Sequence, residues 1–312
     1  MDYLLFILAM GALIYGADFI IKEAERIALH FGISHFVIGA TLIAFGTSLP
    51  EMAASIAAAN SNKTDMAIAN VVGSVIFNIT MVLGVIFILS KKLYPKRELF
   101  ALDSAWVIIP VILFFLMIQD STIGRLDGVL LLLLMISYLV FLFNDSKENL
   151  SGEIDTDLTR EHFNWSKTLS LLILGFVFTI IGAHFVIESG ANIARMLGVS
   201  EWIIALLLIA FGTSLPELVV SLVAIKKKNT EMSIGNIIGS NVANFSMVLG
   251  AAALVKPLCI NLEASSFDLL IMLGASVALL FILANKIYNR AGGIFLLIIL
   301  ALFLQNSLQN PT

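Results

Sequence analysis

The sequence predicts an all-α polytopic membrane protein, with ten transmembrane helices arranged as two inverted-topology five-helix repeats. Three observations carry this expectation. The 312-residue chain is 59% hydrophobic, with a mean hydropathy of +1.00. Its charged residues amount to 13%, against about 25% in a soluble domain, too few to cover a water-facing surface. Second, its apolar runs (129–143 and 169–181, for example) are continuous, where a transmembrane β-barrel would alternate polar and apolar residues. Third, the octapeptide AFGTSLPE stands at 44–51 and again at 210–217, an offset of 166.

Apolar windows of membrane length, bounded by charges and turn residues, place the spans at 3–29, 33–60, 66–90, 99–119, 124–143, 168–195, 199–225, 232–255, 265–285 and 290–306. The first window has neither a basic leader nor a small-residue cleavage site and reads as a retained helix. Residues 144–167 form a hydrophilic linker with six acids and three bases. Within it, Asp155, Thr156 and Asp157 lack the glycine turn and terminal glutamate of an EF-hand loop, so the stretch reads as a solvated connection. The domains expected are therefore 1–143, the linker 144–167, and 168–312.

Basic residues orient the chain. With ten spans, Lys63, Arg125, Arg195 and Lys256 fall on the N-terminal side, and the other fourteen of the eighteen Lys and Arg fall opposite. The positive-inside rule then puts both termini outside and the 144–167 loop in the cytoplasm of a cell-membrane protein. The net charge of −4 is too small and too scattered to suggest nucleic acid, and a lone Cys259 excludes an intrachain disulfide or a multi-cysteine metal site.

The repeat extends well beyond the octapeptide. The same offset pairs Gly16 with Gly182, Ser55 with Ser221, Asn70 with Asn236, Ser74 with Ser240 and Asn78 with Asn244. It slips to 165 where Asp103 meets Asp268 and Arg125 meets Arg290. Five spans per half is an odd number, so the second half enters the membrane from the other side. This is the arrangement of secondary transporters, whose sites lie at midplane where broken helices meet.

Pro50 and Pro216 lack an N–H and are expected to kink their spans, freeing carbonyls near Gly46 and Gly212. At membrane depth such carbonyls persist only where protein, water or an ion supplies a partner. Thr47, Ser48 and Glu51 share a helix face, as do Thr213, Ser214 and Glu217. Asn70, Ser74 and Asn78 form a stripe at i, i+4 and i+8, repeated by Asn236, Ser240 and Asn244. One such stripe alone reads as helix–helix glue; two, each following a proline-broken glutamate helix, point to a site. A mid-span carboxylate costs about 2.5–3.5 kcal/mol on insertion scales, and neither span two nor span seven has a mid-helix Lys or Arg to pair with it. Carboxylates, hydroxyls, amide oxygens and freed carbonyls make an all-oxygen cage suited to a hard cation such as calcium, and no His or Cys stands near for zinc or copper.

GTSLPE in both halves, each followed by a GS…N segment (GNIIGSNVAN in the second), resembles the sodium/calcium exchangers of the calcium/cation antiporter superfamily, in particular their compact prokaryotic and archaeal type. The resemblance spans nearly the whole chain. It implies that Glu51 and Glu217 bind calcium, with the carbonyls of Thr47 and Thr213 completing a central site. It implies sodium ligation by Ala44, Thr47, Ser48, Ser74, Asn78 and Glu51, and by Ala210, Thr213, Ser214, Ser240 and Glu217. Asn244, the counterpart of Asn78, stands where some members carry aspartate, which removes a carboxylate and weakens a potassium-cotransport reading. The implied activity is alternating-access antiport, with sodium and calcium as transported ions, no prosthetic group, no enzymatic chemistry, and no partner beyond the ions and the lipid bilayer. In the family model, spans one and six slide past the rest; Gly11, Gly16, Gly175 and Gly182 suit either such sliding or ordinary tight packing. The rivals are a calcium/proton antiporter, a potassium-dependent exchanger and a cation channel. Asp18 and His184 read as structural, and Asp103 and Asp268 as helix caps.

Overall fold

The computed structural model describes residues 2–90, 92–146, 163–199 and 212–309. Ala210, most of the 144–167 linker and the first part of the expected seventh span lie outside them. The described helices are α1 (Asp2–Phe31), α2 (His35–Thr47), α3 (Leu49–Asn60), α4 (Thr64–Leu89), α5 (Leu99–Met117), α6 (Arg125–Ser146), α7 (Trp165–Met196), α8 (Leu215–Lys226), α9 (Thr230–Val255), α10 (Leu262–Ala284) and α11 (Arg290–Gln309). Two short strands, β1 (Thr122–Ile123) and β2 (Leu258–Cys259), pair antiparallel. Among the described residues, eight helices are long and apolar enough to cross a membrane, and α2 with α3 forms a bent pair that makes a ninth span if counted as one. The boundaries follow the apolar windows closely because charges and caps end the runs: Asn164 and Asn261 accept hydrogen bonds from the third residue of α7 and of α10.

The chain divides into two compact units, residues 1–47 with 141–236, and residues 48–140 with 237–312. Each draws on both sequence halves.

In the first unit α1 packs along α7 at very close range. A Cβ added to Gly16 would lie 2.6 Å from Thr179 Oγ1 and 2.7 Å from the Gly175 carbonyl oxygen; one on Gly182 would lie 2.6 Å from Leu13 N and 2.9 Å from the Ala9 oxygen. Gly16 and Gly182, Leu13 and Thr179, and Ala9 and Gly175 are all 166 apart, so one crossing contact is made twice. Small residues let helix backbones approach where lipid offers no hydrophobic drive for association. Ile20, Ile21, Ala24, Leu172, Val220 and Met232 continue this core. Asp18, on α1, is tied to Lys227 at the end of α8 by a 2.7 Å ion pair, a structural role. His184 lies exposed, 3.7 Å from Glu188.

The second unit repeats contacts in the same manner. A Cβ on Gly128 would lie 2.9 Å from the Gly250 oxygen, and one on Gly293 would lie 2.7 Å from the Gly84 oxygen. Ile123 pairs with Leu258 between β1 and β2; their counterparts at offset 165, Tyr288 and Leu93, are joined by a 2.8 Å backbone bond next to a Lys92–Asn289 bridge. The symmetry fails at Asp103. It caps nothing: buried in α5, it takes a bidentate pair from Arg97, with Nε to Oδ2 at 2.7 Å and Nη2 to Oδ1 at 3.0 Å. Such a fork satisfies both carboxylate oxygens of a buried group. At offset 165, Arg97 corresponds to Leu262, so Asp268 has no equivalent arginine. Asp268 is not a cap either, since Asn261 fills that position on α10.

Gly16→Leu and Gly182→Leu each force α1 from α7 and are expected to cost about 1–3 kcal/mol, read as a fall in the thermal midpoint of the detergent-solubilised protein. Gly11→Leu, whose added Cβ meets nothing within 4 Å, serves as the control and should leave the midpoint in place.

Candidate functional site

The first octapeptide folds as a sharp break between two helices, and the described part of the second, from residue 212, repeats its turn. α2 ends at Thr47, Ser48 leaves helical geometry at φ −86° and ψ 4°, and α3 starts at Leu49 with Pro50 in its first turn. Ser214 repeats this at φ −86° and ψ 1°, ahead of Leu215 and Pro216. The prolines therefore occupy first-turn positions, where a missing N–H costs nothing, and do not kink a continuous helix as the sequence suggested. In the first half, freed carbonyls come instead from the last turn of α2, which has no intrahelical donors for them. Glu51 and Glu217 each become the third residue of a new helix, where the dipole favours a negative charge. Ser48 and Ser214 do not cap these helices with their side chains, so the S-x-x-E spacing does not form a capping box.

In the first unit, Ala44, Thr47, Ser214 and Glu217 are buried and Thr213 is partly so. Thr47 Oγ1 lies 3.2 Å and 3.3 Å from the carbonyls of Ile43 and Ala44, and 3.4 Å from Asn236 Oδ1. Asn236 Nδ2 donates to Ser221 Oγ at 3.0 Å, one turn beyond Glu217. Asn236 thus links the end of α2 to the glutamate-bearing α8. A π-helical segment at Gly39–Ile43 precedes this last turn of α2.

In the second unit, Ser48, Glu51, Ser74, Asn78, Ser240 and Asn244 are all buried, Glu51 to 1% exposure. Asn70 Nδ2 donates to Ser55 Oγ at 2.9 Å and to the Glu51 carbonyl at 3.2 Å, locking α3 onto α4. This is the counterpart of the Asn236–Ser221 bond. Asn78 and Asn244 each open a π-helical segment, Asn78–Leu83 and Asn244–Val248, and single π turns often mark functional positions because they disturb the regular carbonyl ladder. Asn78 Nδ2 donates to Asn241 Oδ1 at 3.2 Å. Asn78 Oδ1, Ser240 Oγ and both polar atoms of the Asn244 side chain are buried with no hydrogen-bond partner among the described residues. Buried polar atoms are almost always satisfied, so these four atoms, three of them oxygens, are open to a ligand or to water. Among the described residues no three His, Cys, Asp or Glu side chains group together. Oxygen donors suit a hard cation.

Every candidate within the described residues is thus placed in one unit or the other, all of them buried except the partly buried Thr213; Ala210 alone lies outside the described residues. Three features escaped the sequence reading. The π segments leave no compositional mark. Asn241 has Val75 as its repeat partner and so fell outside the symmetric stripes. Asn70 and Asn236 were visible in those stripes, yet their bonds show that they brace helices.

Residues 1–144 and 167–308 match the sequence profile of the family described as sodium/calcium exchanger protein. The chain belongs to the sodium/calcium exchanger family. It is 37% identical to a membrane protein of Methanocaldococcus jannaschii described as uncharacterized, over 93% of both chains. To the sodium/calcium exchanger MaX1 of Methanosarcina acetivorans it is 31% identical over 97% of both. Among solved structures it resembles the sodium-calcium exchanger NCX_Mj soaked with zero sodium and calcium, with a TM-score of 0.81 and 32% identity, covering 98% of each chain. This exchanger is accordingly a multi-pass membrane transporter of the cation/calcium exchange type.

Asn236→Leu removes the donor to Ser221 and the contact with Thr47 in a fully buried setting, and is expected to lower stability by about 1 kcal/mol. Asn70→Leu, at a half-buried position, should cost less; thermal unfolding of the two variants in detergent gives the order.

Proposed function

We propose that this exchanger couples sodium entry to calcium movement in the opposite direction by alternating access. Its ions would be held by Glu51 and Glu217, the hydroxyls of Ser48, Ser74, Ser214 and Ser240, the carboxamides of Asn78 and Asn244, and the backbone oxygens of Ala44, Thr47, Ala210 and Thr213. The observation that carries this reading is the cluster of buried oxygens without hydrogen-bond partners at Asn78, Ser240 and Asn244, in the same compact unit as the buried carboxylate of Glu51. Two carboxylates balance one divalent ion, or hold sodium ions in its place, so the two loads compete for the same oxygens. A proton carrier would need neither the carboxamides nor the hydroxyls.

The same reading includes ten spans in two inverted halves, both termini outside the cell membrane, and the 144–167 loop in the cytoplasm. The repeated glycine crossings and the repeated backbone pairing at offsets of 165 and 166 support the two halves; the lysine and arginine distribution supports the orientation.

Calcium uptake into proteoliposomes separates the readings. An outward sodium gradient should drive it, and an imposed pH gradient alone should not; uptake driven only by the pH gradient sinks the sodium coupling. Glu51→Gln and Glu217→Gln should each reduce calcium flux by about 100-fold, equivalent to about 2.7 kcal/mol, while the purified protein keeps its thermal midpoint. Near-normal flux in both variants would remove the glutamates from the site.

A further inference from the structure

We propose that Asn241 is a positioning residue that turns the Asn78 carboxamide so that its oxygen, and not its nitrogen, faces the ion. The inference rests on the reading of Asn78 as a cation ligand. A carboxamide has an acceptor end and a donor end of nearly the same shape. Only the oxygen attracts a cation; the NH2 group repels it. In a buried site, something must choose between the two orientations.

Asn241 makes that choice. Its Oδ1 accepts a hydrogen bond from Asn78 Nδ2 at 3.2 Å, with both side chains buried. The donor end of Asn78 is thereby occupied, and Asn78 Oδ1 is left buried with no partner among the described residues. Ser240, beside Asn241 in sequence, has its Oγ in the same condition. Rotating the Asn78 amide by half a turn would set two oxygens against each other and put the NH2 group where the unpartnered oxygen now stands.

The device has no repeat copy among the described residues. At the repeat offset, Asn241 corresponds to Val75, a buried residue that can neither donate nor accept. Both polar atoms of Asn244, the repeat counterpart of Asn78, lack a hydrogen-bond partner among the described residues. The two carboxamides are therefore unequal: Asn78 is a ligand fixed in advance, and Asn244 is free to choose its orientation with the ion present.

Binding of sodium and of calcium to the purified full-length protein, measured as cation-dependent thermal stabilisation in detergent, tests this without requiring transport. Asn241→Leu should weaken the cation that Asn78 holds by about fivefold, the worth of one neutral hydrogen bond. Aspartate at position 78 has two equivalent oxygens and needs no turning, so adding Asn241→Leu to Asn78→Asp should change affinity less than about twofold, a coupling that only an interaction between the two sites produces. An equal loss in both backgrounds would mean that Asn241 merely supports the fold and would overturn the proposal. So would a crystal structure of cation-loaded Asn241→Leu in which the Asn78 oxygen still sits on the ion, an outcome that holds even where Asn78→Asp itself binds poorly. Asn241→Ala serves in the same comparisons where the leucine variant does not fold. Asn78→Leu separates the two levels: unchanged binding there removes Asn78 as a ligand and the inference with it, whereas weakened binding there and none in Asn241→Leu overturns the inference alone.

Discussion

A negative charge within an apolar membrane segment is the constraint on which the rest of this protein turns. Glu51 and Glu217 lie fully buried in a chain with few charges of any kind, where an uncompensated carboxylate is expensive. The backbone answers by breaking. Each glutamate lies in the first turn of a new helix, so it sits at a positive dipole end, and before Glu51 the last carbonyls of α2 end without intrahelical donors. One local event, a serine leaving helical geometry ahead of Leu-Pro-Glu, thus favours the charge of the carboxylate and, before Glu51, leaves carbonyls short of helical donors. Helices on either side are then held by small residues and carboxamides, since a site of this kind tolerates little rearrangement.

The two kinds of asparagine divide the labour. Asn70 and Asn236 spend their amide groups on serines one turn beyond each glutamate and so brace the broken helices. Asn78 and Asn244 stand at the openings of π-helical segments and keep oxygen in reserve. Bracing and, on the proposed reading, ligation come from the same residue type, eight positions apart on one stripe.

Much of this was legible in the sequence because burial of charge and repetition are properties of composition and spacing. The spans could be read from apolar runs ended by charges, and the glutamates from their isolation within such runs. The helix break was only half legible: Pro50 announces an interruption, but whether it kinks a helix or starts a new one depends on Ser48, whose conformation no local pattern fixes. Asp103 misled, because an acid near a helix start has the composition of a cap; its partner Arg97 reaches it from a preceding connection, and that approach is set by tertiary packing. Asn241 was hidden by the repeat itself, since symmetry drew attention to residues present in both halves.

Gly16 crosses α7, Gly128 meets Gly250 and Gly293 meets Gly84. Each crossing joins a helix from one sequence half to a helix from the other, so both compact units are mosaics. Neither half, expressed alone, contains the complement for its own glycine surfaces. Two separate half-length polypeptides would have to meet as subunits to bury them. The single chain keeps these complementary glycine surfaces together by covalent linkage.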